Sequence, residues 1–86
     1  MQMKLIEFPC QFPIKIMGLA SDEFESIIIG IINQYVPDLG EGAITSKLSK
    51  EGKYVSITAT IRARSQIQLD SLYQALHDTP EVLMVL

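Results

Sequence analysis

The chain has 86 residues, 48% of them hydrophobic, and a net charge of −3. This length suffices for one domain with one core, and this composition excludes a disordered chain. The mild acidity disfavours nucleic-acid binding, which depends on a surplus of basic residues. The longest apolar run, residues 27–32 with Gly30 inside it, is too short to span a bilayer, so we expect no membrane association.

Cys10 is the only cysteine, so an intrachain disulfide is impossible. Small secreted domains more often carry several cysteines. The first residues of the chain also lack the long apolar stretch of a signal peptide. These features favour a cytoplasmic protein.

The chain is predicted to begin with an irregular lead-in over residues 1–11, followed by a strand over residues 12–19. Pro9 and Pro13 disfavour a helix in this region and bias the preceding residues to extended conformations. Gly18 lies near the end of the strand, where we expect the backbone to turn.

The first helix is predicted to follow Ser21 and to end at Pro37. Ser21 is a good N-cap residue, and Asp22 begins an acidic first turn that complements the helix dipole. Apolar side chains then recur at helical spacing. They are Phe24, Ile27, Ile28, Ile31, Ile32 and Tyr35.

The next predicted elements are a short strand over residues 43–49, a turn over residues 50–52 and a strand over residues 53–64. Apolar and polar side chains alternate almost perfectly along the third strand, which predicts one buried face and one solvated face. Ser65 and Gln68 then form a predicted capping box for a second helix.

A fourth strand, residues 81–86, completes the order strand, helix, strand, strand, helix, strand. This order predicts an α+β, ferredoxin-like βαββαβ fold with a four-stranded antiparallel sheet and two helices on one face. Strands one and three would be central, and residues 1–86 would form one domain. The predicted core contains Ile28, Ile31, Ile57, Ile61, Leu72 and Leu76.

Several short segments, spread over nearly the whole chain, are more specific than the order of elements. They are Glu7-Phe8-Pro9 followed by Phe12, Lys15-Ile16-Met17-Gly18, Gly52-Lys53-Tyr54-Val55-Ser56-Ile57, Leu72-Tyr73 and Met84-Val85-Leu86. Together they resemble the YbeD-like family of small bacterial proteins. The resemblance implies a ferredoxin-like fold related to ACT regulatory domains. It implies no enzyme activity, because the family is functionally uncharacterised.

Cys10 and His77 are the residues to consider for catalysis. His77 is the only histidine, and one histidine without a nearby cysteine does not supply the ligands of a metal site. Cys10 would need a base to act as a nucleophile, and nothing local connects it to His77. We therefore predict no catalytic residues, no metal site, no cofactor and no enzyme activity.

RNA-recognition domains share this order of strands, and they stack bases on aromatic side chains of the central strands. On the predicted open face, Tyr54 is the only aromatic residue of strand three, and strand one offers Lys15 and Met17. This face makes a poor stacking platform, so we predict no nucleic-acid partner.

The open sheet face is better suited to a protein partner or to a homodimer of a regulatory or adaptor domain. Because residues 82–86 are all apolar, either Leu83 and Val85 or Val82 and Met84 must face away from the helices. The predicted partner surface consists of Met17, Tyr54, Leu83 and Val85.

The alternative is an ACT-type domain that senses a small molecule. The turn between strand one and the first helix presents backbone amides that could hold a metabolite. The acids that follow this turn repel anions, which weighs against the alternative. The predicted ligand-binding residues are Gly18, Ala20, Ser21 and Asp22.

Overall fold

The computed structural model describes residues 7–40 and 42–86, and its four strands and two helices occur in the predicted order. The elements are β1 Cys10–Leu19, α1 Phe24–Tyr35, β2 Ile44–Leu48, β3 Tyr54–Ala63, α2 Gln66–His77 and β4 Val82–Val85. The strand β1 begins at Cys10 rather than Phe12, so the irregular lead-in is shorter than predicted. Residues 1–6 of that lead-in lie outside the described residues.

The strands form one antiparallel sheet in the order β2-β3-β1-β4, with β1 and β3 in the centre as predicted. The two central strands pair along their whole length, from Cys10 opposite Ala63 to Leu19 opposite Tyr54. Side chains that lie directly opposite each other share a face of the sheet. The register therefore determines which side chains lie beneath the helices.

The core lies between one face of the sheet and the two helices. Thirteen hydrophobic side chains among the described residues are buried there, and they include most of the predicted core. Ile31 is the exception, because it is only partly buried. The buried side of α1 follows Phe24, Ile28 and Ile32, which places Ile31 on the flank of the stripe. The fully buried members of the prediction are Ile28, Ile57, Ile61, Leu72 and Leu76.

The helix α1 begins at Phe24, two residues later than an N-cap at Ser21 would place its start. Glu23 occupies the N-cap position, and its side chain makes no capping hydrogen bond. Ser21 nevertheless satisfies the first helical amide, because its Oγ accepts a hydrogen bond of 3.1 Å from the Phe24 N–H. The helix ends at Tyr35, ahead of Pro37.

Of the two hydrogen bonds in the predicted capping box of α2, one forms as expected and the other uses the amide of the preceding residue. The Ser65 Oγ accepts from the Gln68 N–H at 3.1 Å. The Gln68 Oε1 accepts from the Arg64 N–H at 2.6 Å, where a standard box would use the Ser65 amide. The Gln68 Nε2 also donates to the Tyr35 carbonyl at 2.8 Å, and so joins the start of α2 to the end of α1.

Gly18 lies within β1, and its role is close packing rather than the turn that we expected. Its φ is not positive, unlike that of Gly42 or Gly52. A Cβ at this position would overlap Cε1 of the Phe24 ring and lie 2.6 Å from the Glu81 carbonyl oxygen. Glycine is therefore required because the first side chain of α1 packs directly onto the strand.

The strand β4 contains a β-bulge. Met17 lies opposite Met84, whereas the next residue of β1, Gly18, lies opposite Val82. Leu83 is therefore the extra residue of the bulge, and it has no partner across the ladder. Because of the bulge, the side chains of β4 do not alternate regularly between the two faces of the sheet.

As a consequence, neither predicted alternation of β4 is right. Val82 and Val85 are both partly buried and both pack against the core, so the outward orientation considered for Val85 is wrong. Leu83 and Met84 are exposed instead, at 59% and 49% of their surface. The sequence could not reveal this arrangement, because every residue of the segment is apolar.

Candidate functional site: the open face of the sheet

The helices leave one face of the sheet uncovered, which we call the open face. It consists of alternate residues of β1 from Gln11 to Leu19, alternate residues of β3 from Tyr54 to Arg62, Thr45 and Lys47 of β2, and Met84 of β4. Leu86 extends this face beyond β4. It exchanges two backbone hydrogen bonds with Lys15, at 2.8 and 3.1 Å, and so shares the face of Lys15.

Three apolar side chains meet on the open face, and we call them the apolar patch: Met17, Met84 and Leu86. Met17 lies directly opposite Met84, and Leu86 follows two residues later along the same edge. Met84 is 49% exposed and Leu86 is 63% exposed. A cluster of exposed apolar side chains on adjacent strands indicates a contact surface more strongly than a single exposed residue does.

A shallow cleft of about 170 Å³ continues the apolar patch towards the β2–β3 hairpin. Met17, Lys47 and Tyr54 are among the residues that line it. Tyr54 is 42% exposed, and the Lys53 Nζ lies 5.5 Å from the centre of its ring. Of the predicted partner surface, Met17 and Tyr54 thus share one face, whereas Val85 lies on the opposite one.

The end of β4 is held in place from the helix side of the sheet. The Tyr73 hydroxyl of α2 donates to the Leu86 carbonyl at 3.4 Å. The Tyr73 ring packs edge-on against the Phe12 ring, with 6.5 Å between the ring centres. Desolvation by burial raises the pKa of Tyr73 above its ordinary value of 10.0. The neutral hydroxyl is therefore favoured, and it remains a donor to Leu86.

The open face carries the only charged side chains of the four strands, and all of them are cationic. They are Lys15, Lys47 and Arg62. All three are exposed. The period-two pattern of β3 places Arg62 on this face already in the sequence. The predicted partner surface did not include Lys47, Met84 or Leu86, because the short β2 and the uniformly apolar β4 give no comparable signal.

The predicted ligand-binding turn is filled by contacts within the protein. The Ala20 N–H donates to the Lys53 carbonyl at 2.9 Å, so this amide is already used. The Ser21 Oγ accepts from the Phe24 amide, and the Phe24 ring covers Gly18. Asp22 is exposed. The structure thus brings the four residues together, but as a packed turn.

A wider cleft of about 580 Å³ lies at the other end of the open face. Gln11, Thr60 and Arg62 of the central strands line it, together with Asp38, Leu39, Gly40, Gly42 and Ala43. Asp38 makes an ion pair of 2.6 Å with Arg64, in which both side chains are about half exposed. Such an exposed pair holds the loop only weakly.

The two residues considered for catalysis belong to different elements, β1 and α2. Cys10 pairs with Ala63, just before this helix begins, whereas His77 is its last residue. In the part of the chain that the structure describes, no three His, Cys, Asp or Glu residues are grouped as a metal site would require. None of the described helices has the length and apolar character needed to cross a membrane.

The architecture is that of an ACT-like ferredoxin fold. The chain is similar to the solution structure of protein HP0495 from H. pylori, with a TM-score of 0.76 and 15% identity over 99% of this chain and 89% of that one. It is also similar to the ACT domain from the GTP pyrophosphokinase of Chlorobium tepidum, with a TM-score of 0.67 and 19% identity over 88% and 84% of the two chains. At these identities the likeness concerns the fold alone.

A family model described as a protein of unknown function (DUF493) matches residues 3–86, so the chain belongs to this family. The UPF0250 protein NE1487 of Nitrosomonas europaea is 50% identical over 82 residues, which cover 95% of this chain and 94% of the relative. A UPF0250 protein of Janthinobacterium sp. (strain Marseille) is 49% identical over 82 residues, covering 95% of this chain and 90% of the relative. These relatives confirm the resemblance to the YbeD-like family.

Proposed function

We propose that this protein is a non-catalytic regulatory or adaptor domain that acts through a protein contact on the open face of its sheet. The apolar patch of Met17, Met84 and Leu86 carries the proposal, because two of its three side chains are about half exposed or more. Covering these side chains would remove apolar surface from water, which is the main favourable term in protein association.

The position of the apolar patch supports this proposal. It lies on β1 and β4, and β4 is an edge of the sheet. An edge strand presents unpaired backbone donors and acceptors, to which a partner strand can add. A partner could therefore contact both the face and the edge at once. Such a surface suits a second copy of the chain as well as a different protein.

The alternative, in which the domain senses a small molecule at the β1–α1 turn, has weaker support. The Phe24 ring fills the space above Gly18, and the Ala20 amide is bonded to Lys53. A ligand would have to displace these contacts before it could bind the turn. Binding of a metabolite at this turn stays a prediction.

The same proposal assigns the protein no enzymatic role and a cytoplasmic location. Cys10 is the first residue of β1 and His77 is the last residue of α2, and neither the sequence nor this placement pairs a nucleophile with a base. A single cysteine suits a reducing compartment, where thiols remain free.

A photo-crosslinking experiment in bacterial cells tests the proposed contact. A photoreactive phenylalanine analogue is placed at position 84, on the open face, or at position 67 as a matched control. Ile67 is 78% exposed, but it lies on α2, in the layer on the other side of the sheet. We expect defined protein adducts from position 84 and none from position 67.

Equal crosslinking from both positions would contradict the proposal, because it would show no preference for the open face. The same conclusion would follow if neither position gave an adduct. The mass of the adduct separates the two kinds of partner, since a homodimer gives twice the mass of the chain and an adaptor contact gives another mass.

A further inference from the structure

The charged side chains of the sheet are all of one sign. The chain has a net charge of −3, yet the described strands contain no acidic side chain. Their charged side chains, Lys15, Lys47 and Arg62, are all basic and all on the open face. We propose that this face binds an acidic, amphipathic segment of a different protein. This inference rests on the proposed function and identifies the chemistry of the partner.

The two lysines lie beside the apolar patch. Across the sheet, Lys47 is opposite Ser56, and Ser56 is opposite Met17, so Lys47 lies two strands from the patch. At the spacing of neighbouring strands this is about 10 Å. Lys15 precedes Met17 by two residues on the same strand and lies opposite Leu86. A partner that covers the apolar patch must therefore come close to both ammonium groups.

The partner must be acidic because these charges need compensation when the face is covered. Among the described residues, the salt bridge is that of Arg64 with Asp38, and neither Lys15 nor Lys47 takes part in one. Burying a lysine against an apolar partner removes its hydration without replacement, which is unfavourable. Carboxylates placed around an apolar anchor would both compensate the lysines and speed the encounter.

The same charges disfavour two other occupants of the open face. In a symmetric dimer the surface meets its own copy, and the strands of that copy offer no acidic side chain to compensate the lysines. A single-stranded RNA would find the cations, but Tyr54 is the only aromatic side chain on the open face. Base stacking on that one ring would be limited.

Two synthetic peptides test the inference. Both are short helices with leucines along one side; in the first, glutamates flank the leucines, and in the second, lysines replace every glutamate. Each is titrated into the isotope-labelled domain, and binding is followed by NMR chemical shifts. We expect the glutamate peptide to bind about tenfold more tightly than the lysine peptide, with shifts confined to the open face. The preference should largely disappear at about 1 M salt, where screening is strong.

Single charge reversals provide matched variants. Lys15→Glu and Lys47→Glu change the open face, whereas Lys50→Glu makes the same change of charge in the β2–β3 turn. All three side chains are exposed, so the fold should persist, and the NMR spectrum of each variant checks this directly. We expect each of the first two to weaken binding of the glutamate peptide about fivefold, and the double variant to prefer the lysine peptide. Lys50→Glu should change binding less than about twofold.

The outcomes separate this inference from the proposed function. If both peptides bind the open face equally well, the face is a protein contact but the acidic partner is wrong. If neither peptide binds, or if the shifts map to the helices, both the inference and the proposed face are contradicted. If a uridine oligonucleotide binds the open face more tightly than the glutamate peptide does, the ligand of this face is RNA and the acidic protein partner is wrong. A dimer through this face in light scattering would also overturn the inference.

Discussion

The two faces of the sheet use alternate residues of the same strands for opposite purposes. Beneath the helices, Ile57 and Ile61 expose at most 1% of their surface, and no charged side chain of residues 7–40 and 42–86 is buried. On the open face, their neighbours Thr58 and Arg62 contact solvent. The covered face accounts for the stability of the fold, and this leaves the open face free to change without loss of the core.

The largest expected difference between the faces concerns Ile57 and Thr58. Ile57→Ala should lower the free energy of unfolding by about 2–5 kcal/mol, because it leaves a cavity in a closely packed core. Thr58→Ala should cost less than about 1 kcal/mol, which is the range of strand propensities. Urea unfolding of the two variants measures both values. A larger loss for Thr58→Ala would show that the faces of β3 are exchanged.

The faces of β3 could be predicted from the sequence because its side chains alternate so regularly. Those of β4 could not, since Val82 to Val85 are all apolar and a bulge at Leu83 leaves no mark in such a segment. The apolar patch depends on the pairing of Met84 with Met17, which no local pattern indicates. The fold was therefore predictable from local patterns, whereas the site depends on a pairing between residues distant in the chain.

Gly18 provides the second test, because the close contact there belongs to the covered face. Gly18→Ala should destabilise by about 1–3 kcal/mol, since its Cβ would overlap the Phe24 ring. Gly30→Ala is the matched control: it lies in α1 with no atom within 4 Å of the added Cβ. Gly30→Ala should stabilise by about 0.5–1 kcal/mol, through helix propensity and a less flexible unfolded chain.

Thermal and urea unfolding of both glycine variants would measure these opposite signs. A Gly18→Ala variant as stable as the parent would mean that Phe24 has room to move. The β1–α1 turn would then be less tightly packed than the contact between Gly18 and Phe24 indicates. That result would strengthen the alternative of a ligand at this turn.

The third test compares two neighbours on β4. Val85→Lys should destabilise by about 1–3 kcal/mol, because Val85 packs against the core and a charge would be drawn into it. Met84→Lys should change stability by less than about 0.5 kcal/mol, because Met84 is about half exposed. It should instead weaken any contact made through the apolar patch. The reverse order of stabilities would place Val85 on the open face and Met84 beneath the helices.

The smallest expected effect is a difference in stability at high pH between the parent and Tyr73→Phe. Burial raises the pKa of Tyr73 in the folded protein above the value of about 10 in the unfolded chain. At pH values above 10 the unfolded chain therefore loses this proton more readily than the folded protein does, and stability falls as the pH rises. Below pH 10 both states hold the proton, so this contribution does not vary with pH.

The Tyr73→Phe variant lacks the ionisable hydroxyl, so its stability should fall less steeply than that of the parent above pH 10. Lysines also titrate there, but they are common to both proteins and largely cancel in the comparison. Urea unfolding between pH 8 and about pH 11 gives the two curves. Tyr35→Phe is the control, because it removes a phenol from the end of α1 rather than the one that reaches Leu86. Parallel curves for the parent and Tyr73→Phe would mean that the hydroxyl is as well solvated in the fold as in the unfolded chain. In that case its hydrogen bond would not hold Leu86 in the apolar patch.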